Sequence, residues 1–255
     1  MKNKISITAE FASLIKTDLD TNNLYFVSPK TKRIYSILRW IIPKKTIRNI
    51  FTWRLALSQI FDSKIEEEIP EQIIDLGAGY SLRGFNFCRK NSDVVYVDSD
   101  LEDVILRKKH ILLSLCQKEN IDFPKNLHLI AIDVLKDDFV SKTESLILPF
   151  KKTMIIAEGL TSYLTISEFK TFIEKTQTLC RHLPNSIFYC TEKLTEQKGP
   201  LYKAIRKSLS YFTYSRKSHQ FKTQDEFVNF LKESNITKYK LDNSDSGHII
   251  YSLMA

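Results

Sequence analysis

The sequence predicts an α/β fold with a doubly wound, mostly parallel sheet of seven strands, preceded by a helical segment. Three observations lead to this fold class. Short apolar runs alternate with helical patterns from residue 72 onward, a glycine-rich turn follows the first run, and residues 1–68 show only helical periodicity. Strands that alternate with helices indicate βαβ units and therefore a parallel sheet.

Composition bounds the class of protein. The 255 residues are 43% hydrophobic and 27% charged, which is ordinary for a folded domain with a sizeable core. The net charge of +8 favours an anionic partner, such as nucleic acid, a membrane surface or an acidic small molecule, without choosing among them. The four cysteines are isolated and the five histidines lack metal-ligand spacing, so we expect reduced thiols and no metal site.

The chain contains no candidate membrane span. No apolar run reaches the roughly 18 residues that a spanning helix needs. The first residues are not followed by the apolar core of a secretion signal, so we expect a cytoplasmic protein.

The first predicted unit is a helical segment or cap over residues 1–68. Apolar residues recur at three- and four-residue spacing in 10–15 and 34–42. The clearest helix covers 46–61, with most of its apolar side chains on one broad face.

The second predicted unit is an α/β domain over residues 69–255. Its helices include one over 167–183, with Ser167 as N-cap, and one over 223–234, where Thr223 opens a T-x-x-E capping box. The last two strands are expected to form a hairpin, which adds antiparallel pairing. The predicted strands are 72–76, 93–97, 127–132, 153–157, 186–190, 236–241 and 248–253.

The glycine-rich turn is the first candidate binding feature. Gly77-Ala78-Gly79 ends the first strand, and Gly84 follows in the next helix. Glycine lets a ligand approach the backbone closely. The spacing departs from G-x-G-x-x-G because position 82 is leucine, which argues against a dinucleotide loop. A cofactor with a nucleoside and an amino-acid tail fits better, although an ordinary strand-to-helix turn is the alternative.

Acidic residues occur in or just after successive strands. They are Asp75, Asp98, Asp133 and Glu158. Asp98 follows the second strand about 20 residues beyond the glycine turn, where an acid can accept both hydroxyls of a ribose. Asp133 would face an adenine amino group. Each acid alone is more often a helix cap or turn residue, but four in series favour a nucleoside site.

Three motifs carry a family resemblance. Residues 74–83 resemble the first motif of the leucine carboxyl methyltransferase family, which also includes polyketide O-methyltransferases. Val97-Asp98, followed by Arg107-Lys108, resembles the second motif, although many members have Glu-x-Asp at that strand end. Residues 158–164 are similar to the E-G-L-x-x-Y-L motif. Weaker likeness in 8–16 and 47–54 extends the coverage to roughly residues 5–190.

The resemblance implies a class I methyltransferase fold, Rossmann-like, that uses S-adenosylmethionine and releases S-adenosylhomocysteine. It implies that Lys16, Arg48 and Arg83 lie near the methionine carboxylate or the substrate acid. Asp98 would hold the ribose, and Asp133 with Val134 would meet the adenine. The full set of predicted cofactor-binding residues is Lys16, Asp75, Gly77, Ala78, Gly79, Arg83, Asp98, Asp133, Val134 and Glu158. Tyr163 and Arg48 are the predicted catalytic residues.

The predicted reaction is O-methylation of a carboxylate or hydroxyl on a small molecule, peptide or protein, with an anionic acceptor expected. A carboxylate needs no general base, and no histidine falls in the matched motifs, although His219 or His248 could fold over the site. Basic and aromatic residues interleave over 198–219, inside a possible substrate cap around 195–222. An RNA-modifying methyltransferase and a non-catalytic cofactor-binding protein remain the alternatives.

Overall fold

The computed structural model describes residues 10, 13–14, 25–41, 44–194, 219, 221–243 and 248–254. The helices among them are α1 (Pro29–Ile41), α2 (Lys44–Glu68), α3 (Arg83–Cys88), α4 (Glu102–Glu119), α5 (Phe139–Glu144), α6 (Ile166–His182) and α7 (Gln224–Glu233). The strands are β1 (Gln72–Leu76), β2 (Val95–Asp100), β3 (Leu127–Ala131), β4 (Thr153–Ala157), β5 (Ser186–Lys193), β6 (Tyr239–Asn243) and β7 (His248–Met254). A short 3₁₀ helix covers Thr161–Tyr163.

The seven strands form one mixed sheet in the order β3-β2-β1-β4-β5-β7-β6. The first five are parallel, and β7 runs antiparallel to both β5 and β6. The α/β class, the seven strands and the closing hairpin are therefore confirmed. The strand order reverses between β1 and β4. At such a reversal a crevice is expected outside the carboxyl ends of the strands, and ligands bind there.

Helices cover both faces of the sheet, which explains the continuous apolar runs of its central strands. All five residues of β1 are buried, and Ile73 and Ile74 point to opposite faces. One face packs against α6 and α7 through phenylalanines that include Phe172 and Phe227. The other face packs against α2, α3 and α4, with Phe61 among the buried residues. The four cysteines are buried free thiols, as predicted.

Some element boundaries differ from the predictions. β2 starts two residues later than predicted and continues to Asp100, because its last residues still pair with β3. The N-cap of α6 is Thr165 rather than Ser167. Thr165 makes a reciprocal capping box, in which its Oγ1 accepts from the Glu168 N–H at 3.3 Å and Glu168 Oε2 accepts from the Thr165 N–H at 2.9 Å. Two backbone N–H groups are thereby satisfied at once.

The predicted division into 1–68 and 69–255 stays a prediction. Helices α1 and α2 lie in the first part, but most of its earlier residues are outside the described ones. The possible substrate cap falls largely on residues 195–218 and 220, which are also outside them. Among the described helices, none is long and apolar enough to cross a membrane.

Candidate active site

The glycine loop begins where β1 ends and is fastened on two sides. Gly77 and Gly79 have φ angles of +70° and +54°. Residues other than glycine rarely adopt such positive φ angles. The Gly79 N–H donates to Asp100 Oδ2 at 2.8 Å. A Cβ on Gly77 would lie 3.0 Å from Leu160 Cδ1, so the loop touches the segment after β4. The two rims of the crevice are therefore in direct contact at Gly77.

The predicted position of Asp98 at the end of β2 is wrong. Asp98 lies inside the strand and pairs in register with Asp75 on β1. Its side chain is completely buried, and Oδ2 lies 2.6 Å from Lys108 Nζ on α4. A carboxylate that is enclosed and already paired presents no oxygen to a ribose. The error arises because β2 continues to pair with β3 as far as Asp100, two residues beyond Asp98.

Asp100 is the acid that actually stands at the strand end, and the sequence reasoning missed it. Its Oδ2 accepts from Gly79 and its Oδ1 accepts from the Leu101 N–H at 2.7 Å. Burial raises the pKa of Asp100 above its ordinary value, although the two backbone hydrogen bonds oppose this. The sequence did contain a pattern that could have identified Asp100, because Asp98-Ser99-Asp100 has the acid-x-acid spacing of the family's Glu-x-Asp. Residues two apart share one face of a strand.

Arg83 lies at the centre of a group that we call the Arg83 ion cluster, which comprises Asp62, Asp75, Arg83 and Glu158. Its guanidinium reaches Glu158 Oε2 at 2.5 Å, Asp62 Oδ1 at 2.7 Å and Asp75 Oδ2 at 3.3 Å. The Arg83 side chain is only 7% exposed. In this arrangement the guanidinium is directed at protein carboxylates, whereas the prediction placed it near the carboxylate of the methionine or the substrate.

Asp75 is the most enclosed carboxylate of the cluster. Its side chain is 2% exposed, and Oδ2 also accepts from the Tyr96 hydroxyl at 3.2 Å. Burial raises the pKa of Asp75 to about 6, although the nearby Arg83 opposes the rise. Burial therefore disfavours the ionised form of Asp75 more than the neighbouring guanidinium favours it.

The segment after β4 carries Glu158 and Tyr163 along the opposite rim. Glu158 directly follows the strand, as predicted, and the Gly159 N–H donates to Thr191 Oγ1 at 2.9 Å. Thr161 Oγ1 donates to the Thr191 carbonyl at 3.0 Å. These bonds hold the segment against β5. Tyr163 lies at the end of the 3₁₀ helix with a partly exposed side chain.

The remaining predicted site residues are Asp133, Val134, Arg48 and Lys16. Asp133 follows β3, and its Oδ1 accepts from the Leu135 N–H at 3.0 Å, while Val134 is buried in the core. Arg48 belongs to α2, but its side chain is outside the described part of the structure. Lys16 lies outside the described residues altogether.

His219 does approach this edge of the sheet, but both of its ring nitrogens are occupied. Nε2 lies 3.0 Å from Glu192 Oε2, and Nδ1 lies 3.0 Å from the Leu164 carbonyl. The ring stacks on Phe169 with a centroid separation of 4.4 Å. Both ring nitrogens therefore lie within hydrogen-bonding distance of protein acceptors, and neither is available to a bound substrate in this geometry. Among the described residues, no group of side chains could hold a metal ion.

A glycine loop, an acid at the end of the second strand and a crevice at the order reversal define a class I methyltransferase fold. The sequence profile of the leucine carboxyl methyltransferase family matches residues 14–177, and the chain belongs to that family. The family predicted from the motifs is thus confirmed.

Solved structures agree on the fold. Human N-acetylserotonin methyltransferase, crystallised with S-adenosylmethionine, superposes with a TM-score of 0.54 at 14% identity, over 80% of this chain and 53% of that one. An O-methyltransferase family protein from Burkholderia thailandensis gives a TM-score of 0.53 at 12% identity, over 81% and 57%. The chain thus spans little more than half the length of these structures. No protein of curated function matches the sequence.

Proposed function

We propose that the protein is an S-adenosylmethionine-dependent methyltransferase that methylates an oxygen atom of a small-molecule, peptide or protein acceptor. The observation that carries the proposal is the contact between Asp100 and the Gly79 N–H, beside the crevice between β1 and β4. It places a carboxylate and an open backbone loop together where a nucleoside binds in this sheet topology. Family membership and the cofactor-bound methyltransferases of the same fold support it.

The residues present fit this cofactor. Gly77, Ala78 and Gly79 form a loop without bulky side chains, and Asp100 has carboxylate oxygens suited to two ribose hydroxyls. Asp75 and Glu158 supply negative charge beside the loop, which suits a cationic ligand. We retain Asp133 and Val134 for the adenine, and Lys16 for the methionine carboxylate. When bound, S-adenosylmethionine supplies a methyl group already activated by its positively charged sulfur.

The task left to the protein is to hold and orient the acceptor. An ionised carboxylate, with a pKa of about 4, needs no general base at neutral pH. His219 is occupied at both nitrogens, which favours a carboxylate over a hydroxyl acceptor. We propose that Tyr163 forms a wall or donates a hydrogen bond in the acceptor pocket, and that Arg48 pairs with the anionic acceptor. Positioning alone can supply much of the rate enhancement of such a displacement.

The first test is calorimetric titration of the protein with S-adenosylmethionine and S-adenosylhomocysteine. We expect Asp100→Asn to bind both ligands about 10- to 100-fold more weakly, because hydrogen bonds from the ribose to a charged acceptor are lost. Asp93→Asn is the matched control, since this exposed residue lies before the opposite end of β2. A folded wild-type protein that binds neither ligand would refute the proposal. Binding without turnover on any lysate fraction would favour the non-catalytic alternative.

A further inference from the structure

Lys175, on α6, fastens the loop between β3 and α5. Its ammonium group donates to the carbonyl of Leu135 at 2.9 Å and to that of Lys136 at 2.7 Å, and it lies 3.2 Å from Asp137 Oδ1. An ammonium group has three donors, so the three acceptors of this one loop match them in number. Helix α6 is thereby joined to three consecutive residues of the loop.

The two backbone carbonyls are the important acceptors. Asp137 is fully exposed, and an ion pair with such a residue contributes little energy. Lys175 itself is 20% exposed. Phe172 and Thr176 on the same helix are completely buried, so α6 is a firmly packed support. Hydrogen bonds from such a support to backbone carbonyls fix the path of the chain and not only one side chain.

The loop that Lys175 holds is the one proposed to bind the adenine. It starts beside the proposed ribose site, because the Ile132 N–H donates to the backbone carbonyl of Asp100 at 2.9 Å. Asp133 and Val134 follow directly, and Val134 is buried in the core. A shift of this loop would therefore displace the proposed adenine residues relative to the ribose site.

The orientation of the Asp133 carboxylate depends on the same part of the loop. Its Oδ1 accepts from the Leu135 N–H at 3.0 Å, and its backbone carbonyl accepts from the Lys136 N–H at 3.0 Å. Leu135 and Lys136 are the two residues whose carbonyls Lys175 holds. A chain of hydrogen bonds therefore runs from α6 through the loop backbone to the Asp133 side chain.

We propose that Lys175 is a positioning residue for adenine recognition, which holds the loop so that the Asp133 carboxylate can accept a hydrogen bond from the adenine amino group. The inference rests on the proposed function. Lys175 acts through Asp133 and does not itself contact the cofactor. Its loss should therefore lower the preference for adenine over a base that lacks the amino group.

A purely structural role makes a different prediction. If Lys175 only joins α6 to the loop, its replacement lowers stability but weakens the binding of all nucleoside ligands by the same factor. S-inosylhomocysteine separates the two cases, because its hypoxanthine has a carbonyl oxygen in place of the adenine amino group. The ratio of the dissociation constants of S-inosylhomocysteine and S-adenosylhomocysteine measures the preference for adenine.

The experiment is calorimetric titration of wild type, Lys175→Met and Lys175→Gln with these two ligands. We expect Lys175→Met to reduce the preference for adenine about 3- to 10-fold, as expected when one hydrogen bond to the base is lost. Lys175→Gln retains a donor group, should lose part of the preference, and replaces Lys175→Met if that variant does not fold. Lys170→Met, at an exposed position of the same helix, is the matched control and should change the preference less than 2-fold.

Asp133→Ala tests whether Lys175 acts through the carboxylate. This variant should lower the preference by itself, and the addition of Lys175→Met should lower it no further. The inference is overturned by an unchanged preference in a folded Lys175 variant, by a further loss in the double variant, or by a wild type that binds both ligands equally. Failure of the wild type to bind S-adenosylhomocysteine refutes the proposed function instead.

Discussion

At the scale of single residues, the most unusual feature is the ion pair between Lys108 and Asp98. Both side chains are completely enclosed between β2 and α4, and their charged atoms lie 2.6 Å apart. Removing two charges from water is costly, and mutual attraction offsets that cost only while both partners are present. The pair therefore holds α4 against β2 directly below Asp100, the residue on which the proposed nucleoside site depends.

Removal of one partner should be far more damaging than removal of both. We expect Lys108→Met to lower the free energy of unfolding by about 3–5 kcal/mol, because Asp98 is left as an uncompensated buried charge. The double variant Asp98→Asn/Lys108→Met should recover much of this loss. Denaturant unfolding measures both, and Lys109→Met, at an exposed neighbouring position, serves as control. Equal effects of Lys108→Met and Lys109→Met would show that the pair contributes nothing.

At the scale of elements, Glu10 joins the N-terminal part to two helices. Its carboxylate is buried and accepts hydrogen bonds from Ser28 and Thr31 at the start of α1 and from Arg107 on α4. Arg107 also lies over the ring of Tyr80, which stacks on Phe26. Tyr80 directly follows the glycine loop, so these contacts fasten the N-terminal part beside the proposed cofactor site.

The link through Glu10 should depend on pH. Burial alone would raise the pKa of Glu10, but hydrogen bonds from Ser28, Thr31 and Arg107 outweigh it and the pKa lies below its ordinary value. The stabilisation is therefore present at neutral pH and is lost as the pH falls through the lowered pKa. We expect Glu10→Gln to cost about 1–3 kcal/mol at pH 7.

The difference between wild type and Glu10→Gln should narrow as the pH falls below the ordinary pKa of a glutamate and should be lost once the pH passes the lowered pKa of Glu10. Chemical denaturation at a series of pH values measures this, with Glu66→Gln on the exposed face of α2 as control. A difference that stays constant with pH would contradict an ionised Glu10 in this network.

At the scale of the whole molecule, the crevice is expected where the strand order reverses between the β1 half and the β4 half of the sheet. The glycine loop belongs to the β1 half and contacts Leu160 in the segment after β4. Arg83, which begins α3, bridges the same two halves through Asp75 and Glu158. A ligand bound in the crevice would contact elements from both halves, so binding should stabilise the whole fold.

Saturating cofactor should raise the melting temperature. Ligand at about 100 times its dissociation constant adds about 2.7 kcal/mol of stability, which corresponds to a shift of about 5–10 °C for a protein of this size. Thermal scanning with S-adenosylhomocysteine measures the shift. Asp100→Asn should show a smaller shift at the same ligand concentration, whereas Asp93→Asn should behave as wild type. An equal shift in both variants would exclude Asp100 from the binding site.

The fold class and the edge of the sheet that forms the crevice could be predicted from local sequence patterns. Five apolar runs, each long enough for one buried strand, alternate with helical patterns, and these patterns are local properties of the chain. Gly77 and Gly79 were identifiable because few other residues adopt positive φ angles. Glu158 was identifiable because it directly follows an apolar run.

The positions of the individual acids depend on contacts between distant parts of the chain. Asp98 and Asp100 share one face of β2, and only the pairing with β3 determines that the strand ends at the second of them. The partners of Arg83 come from residues 21 positions before it and 75 positions after it. Local patterns carry no information about such distant contacts, because strand ends and ion pairs depend on which elements the fold brings together.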